Sequence, residues 1–328
     1  MDRRERIQAA VRGEPVDRVP VALWRHFPHA DSTAEGLAQS VVDFQKTFDF
    51  DLIKVTPAAG YVAEAYGADL FYLDNDEGTR GYNSRPVNSH ADWLTLRALD
   101  PYRGVLAREL EALRLIRAGV GSDVPILETI FSPLSSTKNL AGPLWLADVR
   151  DHPADFHAGL KAIAETTAKF ARAALESGAD GVFFASQLAN REFLTEEEYR
   201  EFGIPYDQIV LDAIRPRADL VLLHVHGMDI YFDLMVDYPA QIINWHDRRT
   251  APSLAAGKER FKGAVLGGID EWAVLLRGTP DEVTAQVRDA IRQTGGRQFI
   301  AGAGCVTPVT TPEANVRAAR GAVERESV

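Results

Sequence analysis

Two histidines and one cysteine in this sequence have the types and spacing for transition-metal chemistry. His224 and His226 end an apolar run that begins at Leu220, and side chains two apart on an extended segment face the same way. Cys305, the only cysteine, follows another short apolar run. Two imidazoles and a thiolate would leave one position of a tetrahedral zinc ion open, as catalytic zinc requires. We therefore expect a zinc site here, with a buried inert thiol as the alternative reading of Cys305.

Four further polar residues follow predicted strands and are candidate catalytic groups. Arg25 can grip a substrate carboxylate or phosphate with its planar guanidinium, or form a salt bridge at a barrel rim. Ser186 can hydrogen-bond a substrate carboxylate or cap a helix. His246 can be a further metal ligand, a general acid or a group that orients the other histidines. Asp270 can act in the reaction or cap the helix that begins with Glu271.

Eight short apolar runs precede or contain these residues and alternate with longer stretches of helical period. That alternation is typical of parallel strands joined by crossover helices, and eight repeats predict an α/β fold, a single (β/α)8 TIM barrel. Side chains that follow the strands of such a barrel project into its mouth, where the reactive groups lie. The predicted strands are Val19–Leu23, Leu52–Val55, Ile126–Ile130, Gly181–Phe184, Leu220–His224, Gln241–Trp245, Ala264–Leu266 and Gln298–Ala301.

Three stretches between the strands carry signals for the start of a helix. Thr195 with Glu198 predicts a capping box. Thr279 and Thr311 each precede a proline and an acidic residue, which predicts a threonine cap followed by the first helical turn. These signals support the count of alternating elements.

Two segments are longer than ordinary connections in a β/α barrel. They span Tyr61–Pro101 and Phe131–Asp155. We expect an excursion and a small helical lid over the C-terminal face of the barrel, because loops of this length in compact domains usually have a function. A short helix is expected before the first strand. No repeat or linker divides the chain, so residues 1–328 are predicted to form one domain.

Composition and charge limit the classes of partner. Lys and Arg number 36 against 47 Asp and Glu, which gives a net charge of -11, and no basic run occurs. Nucleic acid and anionic membrane are therefore not expected partners. No apolar run approaches the ~18 residues that a membrane span needs, and the charged N-terminus has no signal-peptide pattern. We expect a cytoplasmic protein that acts on a small molecule.

Several segments together resemble the uroporphyrinogen decarboxylase superfamily. The similarity runs from near residue 5 to near residue 324, and the order and spacing of its motifs are specific for the superfamily. The matching segments are Arg18–Arg25, Ala65–Asp69, Ser177–Gly181 with Ser186, Tyr199–Phe202 with Pro205 and Tyr206, Gly267–Asp270 and Thr311–Arg317.

For a true uroporphyrinogen decarboxylase, the resemblance implies cofactor-free removal of four acetate carboxyls in a cleft lined by a defined polar set. Arg25 and Ser186 match an arginine and the serine of that set. The second arginine falls near His29, the tyrosine near Asn139 and the histidine at Cys305. The aspartate that stabilises the protonated intermediate falls near Ala58. The chain thus resembles the family but lacks most of the decarboxylase set.

The same superfamily contains cobalamin-linked methyltransferases, which pass a methyl group from a corrinoid protein to a thiol such as coenzyme M. They bind zinc through a His-x-Cys pair after the fifth strand and a cysteine after the eighth. His224 matches the histidine, His226 takes the place of the first cysteine, and Cys305 matches the second. Imidazole in place of a thiolate makes the site one unit more positive.

The hypothesis that follows is a zinc-dependent, methyltransferase-like enzyme with His224, His226 and Cys305 as ligands and a corrinoid as methyl donor or acceptor. The resemblance also suggests a homodimer and a corrinoid protein as partner. One alternative is a decarboxylase of a porphyrinogen or another carboxylated substrate, with Arg25 holding the carboxylate and a histidine supplying the proton. The other is a non-catalytic protein that binds a corrinoid or tetrapyrrole.

Overall fold

Eight parallel strands form a nearly closed barrel in the computed structural model, which describes residues 1–324. The predicted domain extends to residue 328, so 325–328 lie outside the described residues. The order around the barrel is β1-β10-β9-β8-β7-β6-β5-β2. The barrel strands are β1 (Val21–Ala22), β2 (Ile53–Lys54), β5 (Ile126–Phe131), β6 (Gly181–Ser186), β7 (Leu220–Val225), β8 (Ile242–Trp245), β9 (Ala264–Ile269) and β10 (Phe299–Ala303).

All eight predicted strands are confirmed, with bounds that differ by a few residues. Every residue of these strands is buried, because one face meets the barrel interior and the other meets the helices. Strands covered on both faces appear in the sequence as continuous apolar runs without alternation. The TIM-barrel prediction is therefore confirmed, and the continuous apolar runs on which it rested do correspond to strands that are buried on both faces.

The two edge strands of the sheet are joined through Asp51. Its backbone N–H donates to Val21 O at 2.9 Å, and its carboxylate accepts from the Val21 N–H at 2.9 Å. Arg6 and Arg18 each donate to the same carboxylate at 2.7 Å. Asp51 is completely buried, so these bonds supply the partners that a buried charge requires. Arg6 thereby attaches the predicted N-terminal helix to the seam of the barrel.

Helices pack around the barrel and cover the apolar outer faces of its strands. The helices are α1 (Arg3–Arg12), α2 (Ala34–Phe48), α3 (Tyr61–Ala65), α4 (Gly104–Val120), α5 (Pro133–Ala141), α6 (Leu144–Asp151), α7 (Pro153–Glu176), α8 (Glu196–Phe202), α9 (Ile204–Ile214), α10 (Phe232–Met235), α11 (Leu254–Arg260), α12 (Pro280–Thr294) and α13 (Glu313–Ala322). A 3-10 turn spans His90–Thr95 and a π-helical turn spans Glu271–Leu276.

Two of the three predicted helix starts are confirmed and one is wrong. Thr195 and Thr279 cap α8 and α12 with complete capping boxes. Thr311 does not cap α13, because that helix begins one residue later with Pro312 in the capping position. The Thr311 hydroxyl is buried without a hydrogen-bond partner among the described residues.

The two long segments both contain structure at the barrel mouth. The first contains an antiparallel hairpin, β3 (Asp69–Tyr72) and β4 (Arg80–Ser84), which the sequence did not predict. The second contains α5 and α6, in agreement with the expected helical segment. Residues of β4 and of α5 line the cavity at the mouth. In the part of the chain that the structure describes, no helix is long and apolar enough to cross a membrane.

Candidate metal centre

Four side chains from the ends of three strands meet at the barrel mouth: His224, His226, His246 and Cys305. His224 lies in β7, His226 directly follows it, His246 directly follows β8, and Cys305 follows β10 by two residues. One ligand atom from each residue lies within 4.8 Å of the other three. The structure thus brings Cys305 to His224 and His226, which precede it by 81 and 79 residues, and adds His246.

The distances between these atoms suit a tetrahedral zinc ion. Zn–N bonds of about 2.0 Å and Zn–S bonds of about 2.3 Å place nitrogen pairs about 3.3 Å apart and sulfur–nitrogen pairs about 3.5 Å apart. His226 Nδ1 lies 3.2 Å from His246 Nε2. Cys305 Sγ lies 3.6 Å from His224 Nε2 and 3.7 Å from His226 Nδ1. The donor set suits zinc, and these three distances are close to those of a tetrahedral site.

Asn244 determines which nitrogen of His224 faces this centre. Its side-chain amide donates to Leu266 O at 2.9 Å and to Ala303 O at 3.0 Å, which points its Oδ1 at His224. His224 Nδ1 lies 2.6 Å from that oxygen and therefore carries the proton. Nε2 is left with a lone pair toward Cys305, as a metal ligand requires. Asn244 is in register with His224 on the neighbouring strand, which explains the contact.

Glu271 supports His246 in a corresponding way. Its Oε1 lies 2.8 Å from His246 Nδ1 and 3.4 Å from the Arg249 guanidinium. Glu271 is only 1% exposed, so this carboxylate acts on His246 in a buried environment. Carboxylate–histidine pairs of this kind orient metal ligands and raise their basicity. Sequence reasoning missed Glu271 and Asn244, although one follows a predicted strand-end aspartate and the other precedes His246 by two residues.

The three imidazoles also affect the ionisation of Cys305. Burial opposes loss of the thiol proton, but the charges and hydrogen bonds of the histidines outweigh it and hold the pKa of Cys305 well below its usual range. Burial likewise opposes protonation of His246, but Cys305 and Glu271 outweigh it and raise the pKa of His246 to about 10. A thiolate is the form of cysteine that binds metals. Cys305 is thus held in the metal-binding form, whereas His246 must release a proton before it can bind a metal.

A large cavity opens beside this centre and reaches all four side chains. Its volume is about 810 Å³, which is within the usual range for sites that bind small molecules. Apolar contacts come from residues such as Trp24, Phe183 and Met228. Charged residues also line it, among them Lys54 and Arg277. The cavity gives a small molecule access to the potential metal site.

Arg25 does not lie where the sequence led us to expect a substrate clamp. It does not line the large cavity, and its Nη1 donates to Val309 O at 3.0 Å. Its guanidinium carbon lies 5.3 Å from the centre of the Phe27 ring and 5.5 Å from that of Phe44. The residue therefore connects the loops after β1 and β10. This contact is a hydrogen bond to a backbone carbonyl, whereas the alternative interpretation of Arg25 predicted a salt bridge at the barrel rim.

Ser186 is also turned away from the cavity. It is completely buried, and its hydroxyl lies 2.9 Å from the Tyr199 hydroxyl. Tyr199 in turn donates to Asp207 at 3.0 Å. This placement corrects both expectations for Ser186, because its hydroxyl bonds a helix side chain and neither contacts the cavity nor caps the helix backbone. The reason is the strand pleat, which sends alternate side chains to opposite faces.

Asp270 lines the cavity and also caps a helical turn. Its carboxylate accepts from the backbone N–H groups of Trp272 and Ala273 at 2.9 and 2.6 Å. The capped π-helical turn carries Glu271, so Asp270 positions the carboxylate that contacts His246. The capping interpretation describes the bonds that Asp270 makes.

With the site described, comparison with known proteins identifies the group to which the chain belongs. The family model for uroporphyrinogen decarboxylase (URO-D) matches residues 2–326. The chain belongs to the uroporphyrinogen decarboxylase family. This membership confirms the resemblance and the prediction of an enzyme, since the relatives that the chain matches are methyltransferases and decarboxylases.

Methyltransferases and decarboxylases both match this chain along almost its whole length. The methylcobamide:CoM methyltransferase MtbA of Methanosarcina mazei is 23% identical, with 96% of this chain and 95% of the relative covered. The uroporphyrinogen decarboxylase of Chloroflexus aurantiacus is 25% identical, with 96% and 94% covered. The solved structure of a methyltransferase from Methanosarcina mazei superposes with a TM-score of 0.86 at 22% identity and covers 99% of both chains. That similarity supports the fold.

Proposed function

We propose that this family member is a zinc-dependent methyltransferase that moves a methyl group between a corrinoid and a thiol or similar acceptor. The observation that carries the proposal is the set of four donor atoms within 4.8 Å of one another, open to a cavity of about 810 Å³. The similarity to methylcobamide:CoM methyltransferases supports the corrinoid and the thiol. A soluble, cytoplasmic homodimer of one domain per chain remains part of this proposal.

His224, His226 and Cys305 would hold the zinc ion, which lowers the pKa of a thiol in its remaining position. His224 is fixed by Asn244, and Cys305 is the negatively charged donor. His226 is partly exposed to the cavity. All three line the cavity from which an acceptor would approach.

His246 is the fourth donor and is the one that the acceptor replaces in this proposal. A zinc site closed by four protein ligands is usually structural. This site differs because all four donors, His246 among them, line the cavity from which a molecule would approach. Its bond to Glu271 gives the imidazole a second partner, so His246 can leave the ion without becoming an unpaired buried group.

The decarboxylase alternative has less support from the cavity. In the family, an aspartate faces the pyrrole nitrogens, and its position falls near Ala58. The cavity wall around Ala58 is formed by Thr56, Pro57 and Ala59, none of which carries a carboxylate. A preorganised electrostatic partner typically contributes about 100- to 1000-fold to a rate. We therefore favour methyl transfer over decarboxylation.

The test is methyl transfer by the zinc-loaded protein, with free methylcobalamin as donor and 2-mercaptoethanesulfonate or 2-mercaptoethanol as acceptor. Demethylation of the corrinoid is followed in the visible spectrum, and the thioether product is identified by mass spectrometry. Cys305→Ser is the matched inactive control. Stoichiometric zinc with product formation supports the proposal. Absence of product together with conversion of uroporphyrinogen to coproporphyrinogen would favour the decarboxylase.

A further inference from the structure

We infer that Lys54 and Trp24 form an anion-binding subsite on the cavity floor, which holds the negatively charged end of a small acceptor whose other end reaches the metal centre. This inference deepens the proposed function and rests on it for the identity of the acceptor. It adds residues that the metal site does not include.

Lys54 is the first component of the subsite. It is the last residue of β2, is 7% exposed and lines the cavity. Its Nζ lies 3.2 Å from Thr56 Oγ1 and 4.8 Å from the centre of the Phe183 ring. Among residues 1–324, no carboxylate forms a salt bridge with it, although buried lysines are normally paired. The Cys305 thiolate acts on this ammonium group electrostatically, but no carboxylate of the described residues is bonded to it as a counter-charge.

Glu128 is near enough to influence Lys54 electrostatically but does not fill that role. It is completely buried, and neither carboxylate oxygen has a hydrogen-bond partner. Burial raises the pKa of Glu128 well above its usual range, which favours its neutral form. Burial also lowers the pKa of Lys54, to about 7. An anion bound from the cavity would favour the charged form of Lys54.

Trp24 supplies the second donor. Its indole is 3% exposed, lines the same cavity, and has a buried Nε1–H without a hydrogen-bond partner. A buried donor left unpaired costs about 1–3 kcal/mol, which a bound acceptor atom would recover. The Trp24 ring contacts Phe183 edge-on, with centroids 5.3 Å apart. Lys54 and Trp24 therefore approach the same phenyl ring.

Phe183 connects this subsite to the metal centre. Its ring stacks on His224 with centroids 5.2 Å apart. In the strand order, β7 is next to β6, whereas β5 lies between β6 and β2, so Lys54 reaches Phe183 across one strand. A molecule of a few heavy atoms can extend over the phenyl ring from one to the other. The arrangement selects a short acceptor with a nucleophile at one end and a carboxylate or sulfonate at the other.

The experiment compares paired probes by isothermal titration calorimetry on the zinc-loaded protein. The probes are 3-mercaptopropionate and the uncharged 3-mercapto-1-propanol, which have similar length. We expect the parent to bind the anionic thiol about 10- to 100-fold more tightly, as for a hydrogen bond to a charged group. Lys54→Met should remove most of that preference, and Trp24→Phe should reduce it. Lys138→Met is the matched control, because it removes an exposed cavity-lining lysine and should leave the preference intact.

A second probe separates failure of the subsite from failure of the proposed function. The anion 1-propanesulfonate has no thiol and is titrated into parent and Lys54→Met, each checked for fold by circular dichroism and for zinc content. Binding by the parent that Lys54→Met loses supports the subsite even if neither thiol binds, an outcome that would count against the thiol function alone. Equal binding of the sulfonate to both proteins, or equal affinity of the parent for both thiols, would overturn the inference.

Discussion

Two groups of histidines in the described part of the chain bring possible metal ligands together, and they differ in what surrounds them. His224, His226, His246 and Cys305 lie at strand ends and are buried or half-buried. His90, His152 and Asp155 lie at the surface, where the two imidazoles stack with centroids 3.7 Å apart. Ligand atoms lie close together in both groups. Only in the buried group do further residues hold the imidazoles in place.

The difference lies in the residues that hold each imidazole. In the buried group, Asn244 and Glu271 bond the ring nitrogens that face away from the centre, so the inward nitrogens are available. In the surface group, Asp155 is itself a candidate ligand and already bonds His90 at 2.8 Å. Residues behind the ligands orient them and tune their basicity. We therefore expect zinc in the buried group and none of comparable affinity at the surface.

The largest expected effect is loss of zinc from His224→Ala and Cys305→Ser. Each variant removes a ligand and leaves the others without the geometry for tight binding. Elemental analysis of untagged protein should show about one zinc per parent chain and little in either variant. His152→Ala is the matched control. Parent protein that stays free of zinc after incubation with the ion would contradict the proposed centre.

A smaller effect is expected from Asn244→Leu, which keeps the volume of the side chain but removes its hydrogen bonds. His224 Nδ1 then loses its acceptor, and the ring orientation is no longer determined. Loss of a supporting residue of this kind typically lowers metal affinity by about 10- to 100-fold. Competition with a chromogenic chelator measures the change. An unchanged zinc affinity in a folded variant would show that Asn244 serves only to connect strands.

His246→Ala should lower zinc affinity less than His224→Ala, because the proposal makes His246 the donor that the acceptor replaces. The variant should retain zinc at saturating metal and bind 3-mercaptopropionate at least as tightly as the parent. Calorimetry on both zinc-loaded proteins tests this. Complete loss of zinc would instead indicate a closed structural site with four essential ligands.

The smallest effect is expected at the surface group. His152→Ala should leave zinc content unchanged and alter the free energy of unfolding by no more than about 0.5 kcal/mol, as for most surface substitutions. Chemical denaturation and elemental analysis give the two quantities. A second equivalent of zinc in the parent that His152→Ala lacks would show that exposed, unsupported imidazoles suffice here, and the comparison would fail.

The sequence by itself determined the barrel and the location of its chemistry. Continuous apolar runs predicted strands buried on both faces, and the polar residues directly after them predicted the mouth. His224 and His226 were identifiable because alternation along a strand places residues two apart on one side. Cys305 was identifiable because it is the only thiol in the chain. These signals are local, so no tertiary information was needed to read them.

Only the tertiary structure decided which polar strand-end residues reach the cavity and which residues support them. Arg25 and Ser186 follow or end strands like the metal-site residues, yet one bonds Val309 and the other Tyr199. The direction of such a side chain depends on the strand's register and on distant loops, which local sequence does not encode. Asn244 supports His224 because two strands about twenty residues apart pair in one register. Lys54 and Trp24 likewise meet at Phe183 only once the barrel closes.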